Sequence, residues 1–431
     1  MKKIALVSIL FTICFMVIPV GAKDESTLGR IKKVSQEKAD ALGRKLVEEN
    51  ANIKKLLKKG ANPNVVLQSV ETLPDDSLNS AFQKSLEKGI AKNEVRGDET
   101  PFMQILSKGD LATATLMLEA GADVNYQTID SIPLLIHYLN EGNVEIATWL
   151  FITAKADTPS PAALFDGLNF PGVVASVGAL DILKELKKRG EDITQTYNVQ
   201  SGDTVASYTL LAMVIYADME AKGLDHLDSI VVQRTSDMIS WLLAEKCDIN
   251  KPLSMGVLNG ASLSAYPITL AAMSESSTIF NTLVTAGANL DVTTKISENG
   301  MNMSFDLSLI PLMNENPKQL ITLLEKGANP NGAVVMVSDK GDTIANIPVL
   351  VFAVAQDNIE VAQKLKEAKA DINRPIVTSA AVGITSDATT VIEFIAESKN
   401  DAILALFKDE IAQMPSTEEA TQEVDSVTTS K

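Results

Sequence analysis

The sequence predicts a mainly α solenoid of stacked helix pairs carrying extended β-hairpin fingers, and three observations support this. A Leu-rich amphipathic stretch that closes on Gly, a small residue and Asn or Asp returns along the chain. Each stretch is divided by an internal turn, and turn dipeptides flanked by β-forming residues separate one stretch from the next. Self-similarity of this kind is the signature of stacked units that bury their apolar faces only against neighbours.

The strongest endings are Leu57-Lys58-Lys59-Gly60-Ala61-Asn62-Pro63-Asn64, Leu118-Glu119-Ala120-Gly121-Ala122-Asp123-Val124-Asn125, Ala286-Gly287-Ala288-Asn289 and Lys326-Gly327-Ala328-Asn329-Pro330-Asn331. Arg189-Gly190-Glu191-Asp192 is a variant, and Lys155, Lys246 and Lys369 stand where the others have Gly. An amphipathic helix that ends this way predicts a left-handed residue just past its last turn, where Gly meets no Cβ penalty, followed by a turn opened by Asn or Asp. Upstream, Thr100-Pro101 opens a helix with Pro in its first turn, Gly109-Asp110 breaks it, and Leu111 begins a second.

Residues 100–125, with their Thr-Pro opening, mid-unit Gly and closing Gly-Ala-Asp-Val-Asn, closely resemble an ankyrin repeat. Residues 266–287 and 347–373 are similar to it in the same way, and the resemblance extends over roughly 35–412. It implies an exported member of the ankyrin-repeat protein family with about eight to nine units, helical caps and a protein-binding role. The endings lie further apart than the family's ~33-residue period. The excess falls at 77–90, read as an additional helical stretch, at 219–233 between the helices of one unit, and in the linkers.

Those linkers read as hairpins. Residues 193–208 turn at Gln200-Ser201-Gly202-Asp203, 253–266 at Asn259-Gly260, 290–305 at Asn299-Gly300 and 334–344 at Asp339-Lys340-Gly341-Asp342, with a less regular case around Ala381-Val382-Gly383. Asn-Gly between β-formers is a strong hairpin signal because both central residues take positive φ. Met301, Met303 and Phe305 alternate along one arm, as do Val335 and Val337 along another, and packing on neighbouring hairpins is their expected use.

Outside the array, Lys2-Lys3, the uncharged apolar run 4–18 and Pro19-Val20-Gly21-Ala22 read as a signal peptide over 1–22, with cleavage after Ala22. The run is shorter than the ~20 residues that span a bilayer. Residues 23–412 form the array with its helical caps, 389–411 supplying a terminal helix pair, and 413–431 is expected to be a disordered acidic tail. A periplasmic or secreted chain follows, with Cys247 as its one thiol, buried beside a helix end.

With 55 acidic against 38 basic residues, a formal charge of −17 disfavours nucleic-acid binding, which rests on Lys and Arg releasing counterions. Two His and two Cys leave too few ligands for a Cys/His zinc site. Catalytic, cofactor-binding and metal residues are none. His137 sits among Leu134, Leu135, Ile136 and Leu139 and reads as a structural His, and no nucleophile elbow, phosphate loop or zinc-protease motif is present. The expected function is a non-enzymatic protein-protein interaction scaffold. The expected contact residues are the hairpin tips Ser201, Gly202, Asn259, Gly260, Asn299, Gly300, Lys340 and Gly341, for a basic or amphipathic protein partner. Met103, Ile268 and Val349 either adjoin that face or belong to the core. Two other functions remain open: an enzyme or small-ligand binder with a pocket at the 219–233 insertion, and a strand-pairing assembly protein.

Overall fold

The computed structural model of the chain describes residues 28–414 apart from 68–98, 129–131, 160–167, 202, 223–228, 258–259, 275 and 299. The signal at 1–22, the stretch at 77–90 and the tail beyond 414 lie outside these residues. The chain divides into two units, Met1–Ile193 and Thr194–Lys431.

The first unit is built from helix pairs: α1 (Gln36–Arg44) and α2 (Ile53–Lys58), α3 (Pro101–Ser107) and α4 (Leu111–Glu119), α5 (Leu134–Asn140) and α6 (Val144–Thr148), α7 (Phe170–Ser176) and α8 (Leu180–Lys188). A π-type turn, Trp149–Thr153, prolongs α6. Short helices such as these cannot stand alone in water, so caps and burial must hold them. Thr100 accepts from the Met103 amide at 3.2 Å, Asp110 from Thr113 at 3.0 Å and Asn143 from Ile146 at 3.2 Å. Phe102, Leu106, Met117, Leu134, Phe151 and Leu183 are fully shielded from solvent.

In the second unit, hairpins and helix pairs alternate. Strands β1 (Tyr197–Ser201) and β2 (Thr204–Tyr208) lead to α9 (Leu210–Lys222) and α10 (Ser229–Ala244). Strands β3 (Leu253–Val257) and β4 (Ser262–Ala265) lead to α11 (Pro267–Met273) and α12 (Ser277–Thr285). Next, β5 (Thr293–Glu298) and β6 (Met301–Asp306) precede a 3-10 turn, α13 (Ile310–Met313) and α14 (Pro317–Glu325). Last, β7 (Ala333–Ser338) and β8 (Thr343–Pro348) lead to α15 (Val349–Ala355) and α16 (Ile359–Glu367), and α17 (Val391–Ala396), α18 (Asp401–Leu406) and α19 (Lys408–Ile411) close the unit.

The fold class differs from the expected mainly α, ankyrin-type solenoid with separate fingers. Helix accounts for 48% and strand for 15%, and the eight strands form one antiparallel sheet in the order β1 to β8, so this is an α/β fold. The physical reason is lateral pairing. Strands of different hairpins bond to each other, β2 to β3, β4 to β5 and β6 to β7, across the helix pairs that separate them in sequence. Turn chemistry specifies only the partner within a hairpin. The expected hairpin around Ala381 is instead a 3-10 turn, Ala380–Val382, with a single bridge from Ser379 to Ile384.

The unit endings explain how one helix pair registers on the next. Gly60, Gly121, Gly190, Gly287 and Gly327 have φ between 87 and 99°, and Lys155, Lys246 and Lys369 have φ of 61, 66 and 63°. Each stands at a left-handed position past a helix end. The first Asn or Asp of an ending then accepts from an amide two residues on: Asn62 from Asn64, Asp123 from Asn125, Asp248 from Asn250 and Asn329 from Asn331. The last Asn reaches the following ending, accepting from Asp123 onto Asn64 at 2.8 Å, Asp157 onto Asn125 at 2.9 Å, Asn289 onto Asn250 at 2.8 Å and Asp371 onto Asn331 at 2.7 Å.

Candidate interaction surface

Strand side chains alternate between the two faces of a sheet, and residues paired across strands share a face. The observed register therefore sorts the sheet into rows. One unbroken row crosses all eight strands: Val199, Ala206, Met255, Leu263, Ile296, Met303, Met336 and Ala345. Every member is apolar. On the same face, nearer the helices, Tyr208, Leu253, Ala265, Thr294, Phe305, Val334 and Ile347 are buried. Phe305, Val334, Met336, Ala345 and Ile347 join helix residues such as Leu309, Val349 and Leu350 in one core, on which the half-buried Ile296 and Met303 pack.

The opposite face has different chemistry. Its matching row is Asn198, Ser207, Ser254, Ser264, Lys295, Ser304, Val335 and Asn346. Neighbours bond along it: the Ser207 hydroxyl donates to Asn198 Oδ1 at 2.8 Å, and the Ser254 hydroxyl to that of Ser264 at 3.2 Å. Val335 and Val337 lie on this face, opposite Ser304 and Asn302 of the neighbouring hairpin. Alternation within one strand fixes which residues share a face but not which face meets the core, and here Met336 holds that place.

Toward the hairpin tips, the apolar face ends on Thr204, Val257, Glu298, Met301 and Ser338, with Val257 39% and Met301 42% exposed. These positions pair across the sheet, so all four tips lie along one of its ends. The sequence-predicted tip residues that the structure describes are brought together there. Ser201 pairs with Thr204, the Gly260 amide donates to the Val257 carbonyl at 2.9 Å, and the Lys340 amide donates to the Ser338 hydroxyl at 3.2 Å. Gly300 and Gly341 take φ of 76 and 88°. The open space over Gly300 ends on the Asp339 side chain, 3.6 Å from where a Cβ would stand, so the last two tips are neighbours. Gly202, Asn259 and Asn299 lie outside the described residues.

The electrostatics of this end are one-sided. Among the described tip residues, Asp203, Asp339 and Asp342 are exposed and Glu298 half-exposed, against the one cation Lys340. The three inner-helix residues do not contribute: Met103, Ile268 and Val349 are core side chains, 2%, 1% and 0% exposed.

The described residues of the 219–233 insertion, 219–222 and 229–233, prolong a helix pair, and 223–228 lie outside the described residues. Helices α9 and α10 have 13 and 16 residues, compared with 7 and 9 in α11 and α12. On α9, burial pushes the Tyr216 phenol up to about 12, helped by Glu220 one turn on, and burial likewise raises the Glu220 carboxyl. His137 is 7% exposed, with Nε2 3.3 Å from Glu141 Oε1, and Cys247 is buried. Among the described residues, no three His, Cys, Asp or Glu converge as metal ligands and no helix is long and apolar enough to cross a membrane. A shallow cleft of ≈ 470 Å³ beside the last bridge is lined by Thr378, Ser379, Ala380, Thr385, Ser386 and Asp387. The middle apolar row is what sequence reasoning missed. Its signal was one apolar residue on each arm, from Val199 to Ala345, legible only once the arms are aligned. No protein-family model matches the chain, and no characterised protein matches it in sequence.

Proposed function

We propose that this chain is an exported, non-enzymatic scaffold that binds a protein partner on the tip-ward end of its eight-stranded sheet. The observation that carries this reading is the register. It sets four hairpin tips in line at one end of the sheet, beyond an apolar row only partly covered by the core. Protein surfaces seldom keep an ordered apolar strip beside solvent without a use for it. Export follows from the leader-like residues 1–22, and the intact mass of the exported protein should begin at Lys23. Retention of the leader in membranes would refute that part.

The test of the scaffold is to shorten the β5–β6 and β7–β8 hairpins by one residue pair at each tip and use the protein as bait in the exported-protein fraction. Partner capture should disappear with the melting curve unchanged, because the tips carry none of the core. Capture that survives would move the binding surface elsewhere.

A further inference from the structure

The first unit carries a surface opposite in sign to the chain as a whole. Residues 28–36 and 50–62 hold seven cations, Arg30, Lys32, Lys33, Lys54, Lys55, Lys58 and Lys59, and no Asp or Glu, in a chain of formal charge −17. All seven are exposed. The fold brings the two stretches together: the Lys32 amide donates to the Lys58 carbonyl at 3.1 Å, and a Cβ on Gly60 would stand 3.0 Å from Val34 Cγ2. The segment 30–34 is thus laid against the C-terminal end of α2, whose lysines fall one turn apart in two pairs, Lys54 with Lys58 and Lys55 with Lys59.

The helix end accounts for Lys58 and Lys59, which offset its dipole, but not for the rest. Like charges one turn apart work against a helix, and Lys54 stands in the first turn, where a cation opposes the dipole. Helix α8 shows the ordinary treatment of such an end: Lys184 lies 3.3 Å from Asp181, Lys188 3.4 Å from Glu185 and Arg189 3.2 Å from Glu185. Among the described residues, none of the seven cations has a carboxylate within ion-pair distance. Two carboxylates that border them are turned to other groups, Glu119 Oε2 accepting from the Leu28 amide at 2.8 Å and Asp40 Oδ1 from Asn62 Nδ2 at 2.7 Å. Cations gathered this way without counter-charges call for an anionic partner.

The chemistry of the cluster selects among anions. Six of the seven are Lys, a compact point charge on a flexible stem, whereas recognition of a single phosphate or carboxylate favours the planar fork of Arg. Residues 28–62 contain no Phe, Tyr or Trp on which bases could stack. Spread over a helix face and the segment beside it, the charges fit an extended anionic surface. The overall charge of the chain does not oppose this, because at physiological salt charges beyond ~8 Å are screened. Resting on the export reading above for the choice of lipid over nucleic acid, we infer that the α2 end of the first unit adsorbs to a bilayer of anionic phospholipid.

The experiment uses the processed chain from Lys23, so that the apolar leader adds nothing, and vesicles of phosphatidylcholine with or without an equal part of phosphatidylglycerol. Sedimentation should carry the protein down with the anionic vesicles and leave it in solution with the neutral ones. Binding should fade as sodium chloride shortens the Debye length from ~10 Å at 0.1 M to ~3 Å at 1 M. Each cation near a charged membrane strengthens adsorption about fivefold, so Lys54→Gln, Lys55→Gln, Lys58→Gln and Lys59→Gln together should weaken it at least ~20-fold. The melting curve of that variant should be unchanged or higher, because like-charge pairs are removed, and this separates lost binding from lost folding. Lys184→Gln with Lys188→Gln, at the paired end of α8, should leave binding within twofold. Inorganic phosphate at matched ionic strength should not compete. Equal binding to neutral vesicles, competition by phosphate, or an equal loss in the α8 variant would overturn the inference, as would tighter binding to a double-stranded oligonucleotide than to the anionic vesicles. The mass of the exported chain tests export by itself, so the failure of either reading is distinguishable from that of the other.

Discussion

Replacing Gly327 by Ala isolates the energetic role of the left-handed helix ending. Gly327 has φ of 87°, and a Cβ added there would meet no atom within 4 Å, so the cost of the substitution is purely conformational. An L-residue at positive φ costs roughly 1–2 kcal/mol, and the loss of glycine's freedom in the unfolded chain returns about 0.4–1 kcal/mol. The net is about 1 kcal/mol, with φ required to move toward the 61–66° that Lys155, Lys246 and Lys369 adopt. Gly60 supplies the contrast. Its φ is 89°, but a Cβ would stand 2.4 Å from the Lys32 carbonyl oxygen, so Gly60→Ala should cost about 1–3 kcal/mol more.

A chain of this size is unsuited to a single global unfolding energy, so the assay is amide hydrogen exchange at the ending itself. The Ala328 amide donates to the Leu323 carbonyl at 2.9 Å and should exchange about fivefold faster in Gly327→Ala, the factor equivalent to ~1 kcal/mol. The corresponding bond at Gly60, from Ala61 to Leu56 at 3.1 Å, should open far more readily in Gly60→Ala. Lys369→Gly should do the reverse, slowing exchange at Ala370 about twofold as strain of ~1 kcal/mol is exchanged for a smaller entropic loss. Equal effects at Gly327 and Gly60 would refute the steric part of the reasoning, and an unchanged rate in Gly327→Ala would refute the conformational part.

Three further outcomes are expected. Gly332→Ala should be strongly destabilising, because its Cβ would lie 2.0 Å from Ser308 Oγ; that hydroxyl is buried without a partner, so Ser308→Ala should be nearly neutral alone and should largely rescue the double variant in thermal melts. Asn250→Ala removes the acceptor of the Asn289 amide and should cost about 1 kcal/mol, read as faster exchange of that amide. The Thr389 backbone amide, with the Thr389 hydroxyl and then the Thr390 groups, holds the Glu393 carboxyl below its ordinary 4.5. A depressed folded value stabilises above 4.5 and is lost as pH falls through the folded value. Glu393→Gln should therefore lower the melting temperature at pH 7 and converge on the parent as pH drops below 4.5; a difference that persists unchanged in acid would refute the assignment.

The helix endings were legible in the sequence because the signal is local. Gly at five endings and Lys at three share one left-handed conformation, and the lysines could be placed only by aligning them with the glycines. Hairpins were legible for the same reason, their turns being fixed by adjacent residues such as those at Gly300 and Gly341. What was not legible is nonlocal. Met303 finds Met336 across α13 and α14, and no property of either strand names the other. That pairing turns fingers into a sheet, makes the fold α/β, and moves Val335 to the face opposite the one its apolar character suggests. The same limit applied to Ile268 and Val349, whose complete burial depends on what stacks over them.

The uninterrupted pairing from β1 to β8 has a mechanical consequence. A row of helix pairs joined only by their own packing bends like a spring, whereas here bending must also stretch the backbone bonds that join β2 to β3, β4 to β5 and β6 to β7. Tension along the row would act across these ladders at their helix-side ends, so each would peel open one bond at a time toward the tips. The second unit would thus yield to pulling in small increments while resisting flexing more than helix packing alone would.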